Sequence, residues 1–122
     1  MTPSHVVIAA IFLASAVGHF VFPRAFMSIM PSWLPSHRML VYVSGAFEAL
    51  GGIGILLPAT RAAAGWGLIA LLVAVFPANI QMLLNAHSAH ASRAYQSALV
   101  ARLPLQPLLI WWIYLTTVRA GA

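Results

Sequence analysis

Four apolar runs, each close to the length of a bilayer-spanning helix, take up most of this chain. They cover about His5 to Phe22, Arg38 to Leu57, Ala63 to Asn85 and Arg102 to Val118. A helix crosses hydrocarbon with about 20 mostly apolar residues. Lipid offers no partner to an exposed backbone N–H or C=O, so a spanning segment is either a helix or part of a closed barrel. Four strands cannot close a barrel. The expected fold is therefore all-α, one integral membrane four-helix bundle that uses residues 1–122.

The side chains agree. Of 122 residues, 62% are hydrophobic and 6% charged, and the mean hydropathy is +0.95. A soluble domain is about a quarter charged because solvated groups must cover its surface. This composition excludes an ordinary soluble enzyme, a disordered tail and a disulfide-stapled module. The chain has no cysteine, which removes thiol redox chemistry and Cys-ligated metal centres. Lysine and aspartate are missing too; Glu48 is the one acidic side chain, and all six basic ones are arginine. The net charge of +5 does not point to nucleic acid. The arginines stand singly between apolar blocks, as membrane-flanking charges do.

Within the first run, Ala14-Ser15-Ala16 is a small-residue motif like the cleavage site of a leader. No basic residue precedes it, and a leader needs that flank, so it is read as a span. The connections differ in character. Pro58 to Ala62 is a tight turn, and His87 to Ala101 is polar and expected to be solvated. Between the first two spans, Pro23 to His37 carries Phe26, Met27, Ile29, Met30, Trp33 and Leu34. That stretch is expected at the interface or folded back over the bundle as a lid, since Trp prefers this depth. Both termini and the second connection share one side, A; the first and third connections share side B. Arg24, Arg38, Arg93 and Arg102 flank side B, against Arg61 and Arg119 on side A. The positive-inside rule then favours a cytoplasmic side B.

Polar groups within the spans are the informative positions, because each is expensive to bury. Glu48 stands ten residues into the second run, about 15 Å deep by helical rise and near the bilayer centre. His19 lies near the side-B end of the first run, Asn79 a little inside that end of the third, and Gln106 just inside the start of the fourth. Together they form a series that descends from side B to Glu48, a polar funnel open on one face. Gly45, Glu48 and Gly52 share a helix face, and small residues there let a neighbour approach closely. Ala10, Ala14 and Gly18 form a small-residue stripe leading to His19, and Gln106, Ile110 and Tyr114 share a face of the fourth run. Pro77 removes a helix hydrogen bond and frees the carbonyl one turn before it, with Asn79 close behind.

An ionised lone carboxylate is strongly disfavoured in hydrocarbon, so Glu48 is either protonated or paired. His19, Arg24 and Arg102 are the candidate partners. An acid beside a histidine can pass a proton or hydrogen-bond a ligand carbonyl, and a quinone headgroup suits such a site. A structural reading stands beside this one: Glu48 as a pin bonded to Tyr42, Asn79 or the carbonyl freed at Pro77. His87-x-x-His90 with His37 lacks the carboxylate or cysteine that would complete a metal site, so no metal is expected. Haem needs paired axial ligands at matching depth, and only His19 lies suitably within the bundle. Trp111 and Trp112 fall mid-span and are expected to pack on helices or lipid.

Six stretches also form a recognisable set: His19-Phe-Val-Phe-Pro23, Ile29-Met-Pro-x-Trp-Leu-Pro35, Ser44-Gly-x-x-Glu48-x-x-Gly-Gly-Ile-Gly, Pro58-x-Thr-Arg61, Phe76-Pro-Ala-Asn79-Ile and Arg102-Leu-Pro-Leu-Gln106. Over nearly the whole chain this pattern resembles the DoxX family of small four-helix membrane proteins. The resemblance implies a multi-pass protein of the bacterial inner membrane, associated with an oxidoreductase. The missing cysteines speak against a direct thiol role.

The leading expectation is a membrane-embedded binding module for a small amphipathic or quinone-like ligand. It acts alone, as a homo-oligomer or with a membrane oxidoreductase partner, and Glu48, His19, Asn79, Gln106 and Tyr42 are the binding or proton-relay candidates. A second reading is a non-enzymatic scaffold or assembly factor that binds partner helices through the glycine-rich second span. A third, a transporter, needs alternating access, which four short spans supply only in a dimer.

Overall fold

The computed structural model describes residues 1–27 and 35–119. The Ile29, Met30, Trp33 and Leu34 part of the expected lid lies outside the described residues. Helices account for nearly all of the rest: α1 (Pro3–Val21), α2 (Pro23–Met27), α3 (His37–Leu56), α4 (Arg61–Ser88) and α5 (Arg93–Ile113). The last of these continues into a π-helical segment, Tyr114–Arg119. Four helices, α1, α3, α4 and α5 with its extension, are long and apolar enough to cross a membrane. The protein is a multi-pass, all-α membrane bundle. Its outward faces fit lipid, with Val17, Phe47, Leu50, Trp66 and Leu108 all more than half exposed. Water would not tolerate that much apolar surface on a monomer.

Local chemistry sets the helix ends. Thr2 caps α1: its hydroxyl accepts from the His5 N–H, while the His5 ring nitrogen Nδ1 accepts from the Thr2 N–H. Because Nδ1 accepts there, Nε2 carries the proton and donates to the Thr116 carbonyl at 2.7 Å. That bond ties the start of α1 to the π-helical end of the chain. The turn between α3 and α4 is closed from α4's side: the Thr60 hydroxyl donates to the Gly54 carbonyl at 2.8 Å, and Arg61 Nε donates to the Ile55 carbonyl at 2.8 Å. Both satisfy carbonyls that the end of α3 leaves without an intrahelical partner.

The fourth span begins earlier than expected. Residues 93–101, read as solvated loop, are the first turns of α5. The Ser92 hydroxyl caps them by accepting from the Tyr95 N–H at 3.2 Å, and alanine and leucine favour the helix. Gln106 consequently sits well inside α5 rather than at its start. Pro77 in α4, and Pro104 and Pro107 in α5, lie within otherwise continuous helices.

Packing is uneven along the membrane normal. Ile8, Phe12, Ile55, Leu68, Leu72 and Ile113 form the buried core, and most of them belong to the side-A halves of their helices. On that side Gly65 of α4 lies against Thr117, and an added Cβ would collide with the threonine hydroxyl. α1 packs on α3, and α4 on α5 and the π-helical segment. Towards side B the described residues leave a space between the helices, and Phe12 and Leu72 belong both to the core and to the wall of that space.

The α1–α3 contact uses α3's glycines as expected, but a different α1 face. A Cβ on Gly52 would meet Leu13 and the Ala9 carbonyl at 3.0–3.3 Å, and one on Gly45 would meet His19 Cβ at 2.8 Å. The buried small residues of α1 are Ala9 and Ala16, whereas Ala10 and Ala14 are exposed and Gly18 faces Phe26. Ala10, Ala14 and Gly18 are therefore not the close-packed stripe. When every face of a span is apolar, composition does not distinguish the core face from the lipid face.

Candidate ligand site within the membrane

The side-B opening is a cavity of about 600 Å³, bounded by all four long helices and by Phe26 of α2. That volume lies in the range of sites for small organic ligands, about 300–1,000 Å³. Its walls are mainly leucine, valine, alanine and phenylalanine, interrupted by Ser15, His19, Ser44, Glu48, Asn79, Arg102 and Gln106. Four of the five residues singled out in the sequence thus meet at one cavity. The fifth, Tyr42, does not line it: its ring stacks on Phe20 with centroids 5.5 Å apart, and its hydroxyl accepts from Arg38 at 3.2 Å.

At the centre is a three-residue unit built on α1 and α3. His19 Nδ1 lies 3.2 Å from Glu48 Oε2 and 2.7 Å from the Ser15 carbonyl oxygen. A carbonyl only accepts, so Nδ1 carries a hydrogen, and Nε2 holds the lone pair whenever the ring is neutral. The Ser15 hydroxyl donates to Glu48 Oε1 at 3.2 Å. Ser15 therefore orients both partners, the imidazole through its carbonyl and the carboxylate through its hydroxyl. The pair is nearly buried, with side chains 11% and 12% exposed. Phe26 covers the imidazole in a stacked contact, centroids 3.8 Å apart and planes at 22°. Among the described residues Oε2 itself is buried with no hydrogen-bond partner, and it is met by the ion-pair contact to His19.

Of the three candidate partners for Glu48, His19 is the one engaged. Arg24 is exposed on α2. Arg102 lines the cavity, but its Nη1 makes its polar contact with the Met82 sulfur, at 3.8 Å. The alternative pins for Glu48 are also otherwise occupied. Asn79 Nδ2 donates to Gln106 Oε1, and Gln106 Nε2 donates to the Leu72 carbonyl at 3.3 Å. Proline at 77 was expected to free the Val73 carbonyl; the carbonyl that a side chain reaches is that of Leu72, one residue earlier. This amide relay joins α4 to α5 across the cavity wall.

Sequence reading missed Ser15 as a site residue. Its signal was present, since Ser15 and His19 stand one turn apart and share a helix face, but a serine in a span is commonplace. Among the described residues no group of three or more His, Cys, Asp or Glu comes together. His87 pairs instead with Gln96, at 3.3 Å.

A family model described as Domain of unknown function (DUF8561) matches residues 8–117. No curated protein and no solved structure matches the chain.

Proposed function

The chain belongs to the DUF8561 family, and we propose that it binds a small amphipathic or quinone-like ligand in the side-B cavity, as the membrane component of a redox system. One observation carries this reading: Glu48 Oε2 is buried without a hydrogen-bond partner beside His19, on the wall of an otherwise apolar cavity. A buried polar atom left in that state costs roughly 1–3 kcal/mol unless something satisfies it. A ligand carbonyl or hydroxyl does so. Protonated Glu48 donates to a carbonyl; ionised Glu48 accepts from a hydroxyl. Those are the two faces that a quinone and its reduced form present, and a bound quinone supplies coupled electron and proton uptake. His19, held by Ser15, is the neighbouring group able to return or remove the proton. The apolar wall takes the ligand's body and excludes water. The resemblance to DoxX supports the association with an oxidoreductase and a place in a bacterial inner membrane.

The scaffold reading loses its motive here. Gly45, Gly51, Gly52 and Gly54 all pack within the chain, on His19, Leu68, Leu13 and Ala64, and so offer no surface to a partner helix.

Native mass spectrometry with lipid extraction tests the reading on wild type and Glu48→Gln. We expect a defined quinone or isoprenoid to copurify with wild type and to fall at least several-fold in the variant, with helicity unchanged by circular dichroism. Bulk phospholipid alone, equal in both proteins, would sink the proposal.

A further inference from the structure

We infer that the ligand of this cavity is an anionic amphiphile, an apolar chain whose acidic headgroup is held by Arg102. This rests on the cavity being a ligand site, as proposed above, and adds the charge and orientation of what enters it.

Charge balance identifies the headgroup. The sequence has six arginines and a single acidic side chain. That acid, Glu48, is engaged by His19 and Ser15, so Arg102, an exposed side chain on the cavity wall, has no carboxylate partner among the described residues. The contact it does make, to the Met82 thioether, is a weak acceptor for a charged donor. Of the six arginines, Arg102 is the one on the cavity wall. It lies one helical turn above Gln106, roughly 6 Å nearer side B, with the apolar Leu105 and Leu109 lining the same wall. A guanidinium next to a low-dielectric cavity favours a carboxylate or phosphate strongly, and its planar fork binds either in a bidentate way.

Arrangement fixes the direction of entry. Glu48 would repel an anion, so the acidic group stays at the Arg102 end while the chain runs down past Leu109 towards Phe12 and Leu72 at the floor. The required chemistry, an anionic head on an apolar chain, is found in single-chain amphiphiles and in acidic bilayer lipids.

Binding of oleate and farnesyl phosphate is compared with that of oleyl alcohol and farnesol. The full chain is held in phosphatidylcholine nanodiscs and the readout is native mass spectrometry. A parallel set of discs contains phosphatidylglycerol. We expect the anions to bind at least tenfold more tightly than their alcohols. Arg102→Gln is expected to abolish that difference while leaving the alcohols unchanged, and Arg93→Gln to leave the difference intact. Loss of the anion signal in phosphatidylglycerol discs would assign the site to a bilayer lipid; its retention would assign it to a single-chain amphiphile. Alcohols that bind as tightly as the anions, or a difference that survives Arg102→Gln, would overturn the inference while leaving the cavity a ligand site. Failure of all four probes, together with no Glu48-dependent copurifying molecule, would overturn both.

Discussion

Gly45→Ala tests the close approach of α1 and α3 at the site. The added methyl would stand 2.8 Å from His19 Cβ and 3.0 Å from Phe20 Cε2. Ordinary carbon contacts begin at 3.4 Å, so the helices must separate by about 0.6 Å, the difference between 3.4 and 2.8 Å. The atom met first is a Cβ, fixed to its backbone, and a rotamer change cannot relieve the clash. Overpacking of this kind costs about 1–3 kcal/mol. It opposes a gain of about 1 kcal/mol from replacing glycine by alanine in a helix. Gly67→Ala is the control, because nothing lies within 4 Å of its added Cβ and it takes the same helical gain. The difference between the two variants therefore isolates the clash, and Gly45→Ala should be the less stable by about 1–3 kcal/mol. The assay is unfolding by titrating dodecyl sulfate into maltoside micelles, followed by circular dichroism. Equal stability of the two variants would refute the reasoning. It would mean that α1 and α3 are not in close contact at this level, and that the His19–Glu48 spacing is not set by the glycine.

Two further variants probe the polar groups. Ser15→Ala removes the one hydrogen bond received by the Glu48 carboxylate; in the same unfolding titration it should lower stability by about 1 kcal/mol and reduce retention of the copurifying ligand. The Asn79–Gln106 bond should show a coupling of about 0.6–1.7 kcal/mol, as interhelical hydrogen bonds do in membranes. The cycle uses Asn79→Leu, Gln106→Leu and the double variant, and additive effects would rule out a direct bond.

The bundle was legible because span length is a property of the solvent. About 20 apolar residues in a row have few other uses, and the four helices fall where such runs fall. Glu48 was legible for the same reason, an acid in hydrocarbon being hard to explain away, and His19 followed as a group of matching depth. What the sequence concealed depended on rotation about the helix axes. In a soluble helix the polar face marks the outside; here Val7 and Ala14 face outward and Ile8 and Ala16 inward, and nothing in their chemistry differs. Tyr42 lies off the cavity wall on that account. It is a polar residue on α3 two turns from Glu48, yet turned towards Phe20. The early start of α5 was hidden differently, because residues 93–101 are polar enough to read as loop while Ser92 supplies a cap whose effect depends on the backbone placing its hydroxyl.

The uneven packing has a functional reading of its own. On side A His5 bonds Thr116, the Thr117 hydroxyl bonds the Ile113 carbonyl at 2.6 Å, and Trp112 Nε1 donates to Ser4 at 3.3 Å, while Arg61 donates through Nε to the Ile55 carbonyl and keeps Nη2 buried without a partner among the described residues. These bonds knit the termini to the bundle and leave that end closed. On side B Asn79 donates to Gln106, which donates in turn to the Leu72 carbonyl. Glu48 Oε2 is left without a hydrogen-bond partner among the described residues, and on the wall of the same apolar space the exposed Arg102 meets the Met82 thioether. An ion pair between the two would compensate the acid directly, a carboxylate being expensive to hold within a membrane. Here Glu48 is instead paired with a histidine and Arg102 with a thioether. The two groups are held apart across a cavity, an arrangement with a physical rationale if a third molecule comes between them.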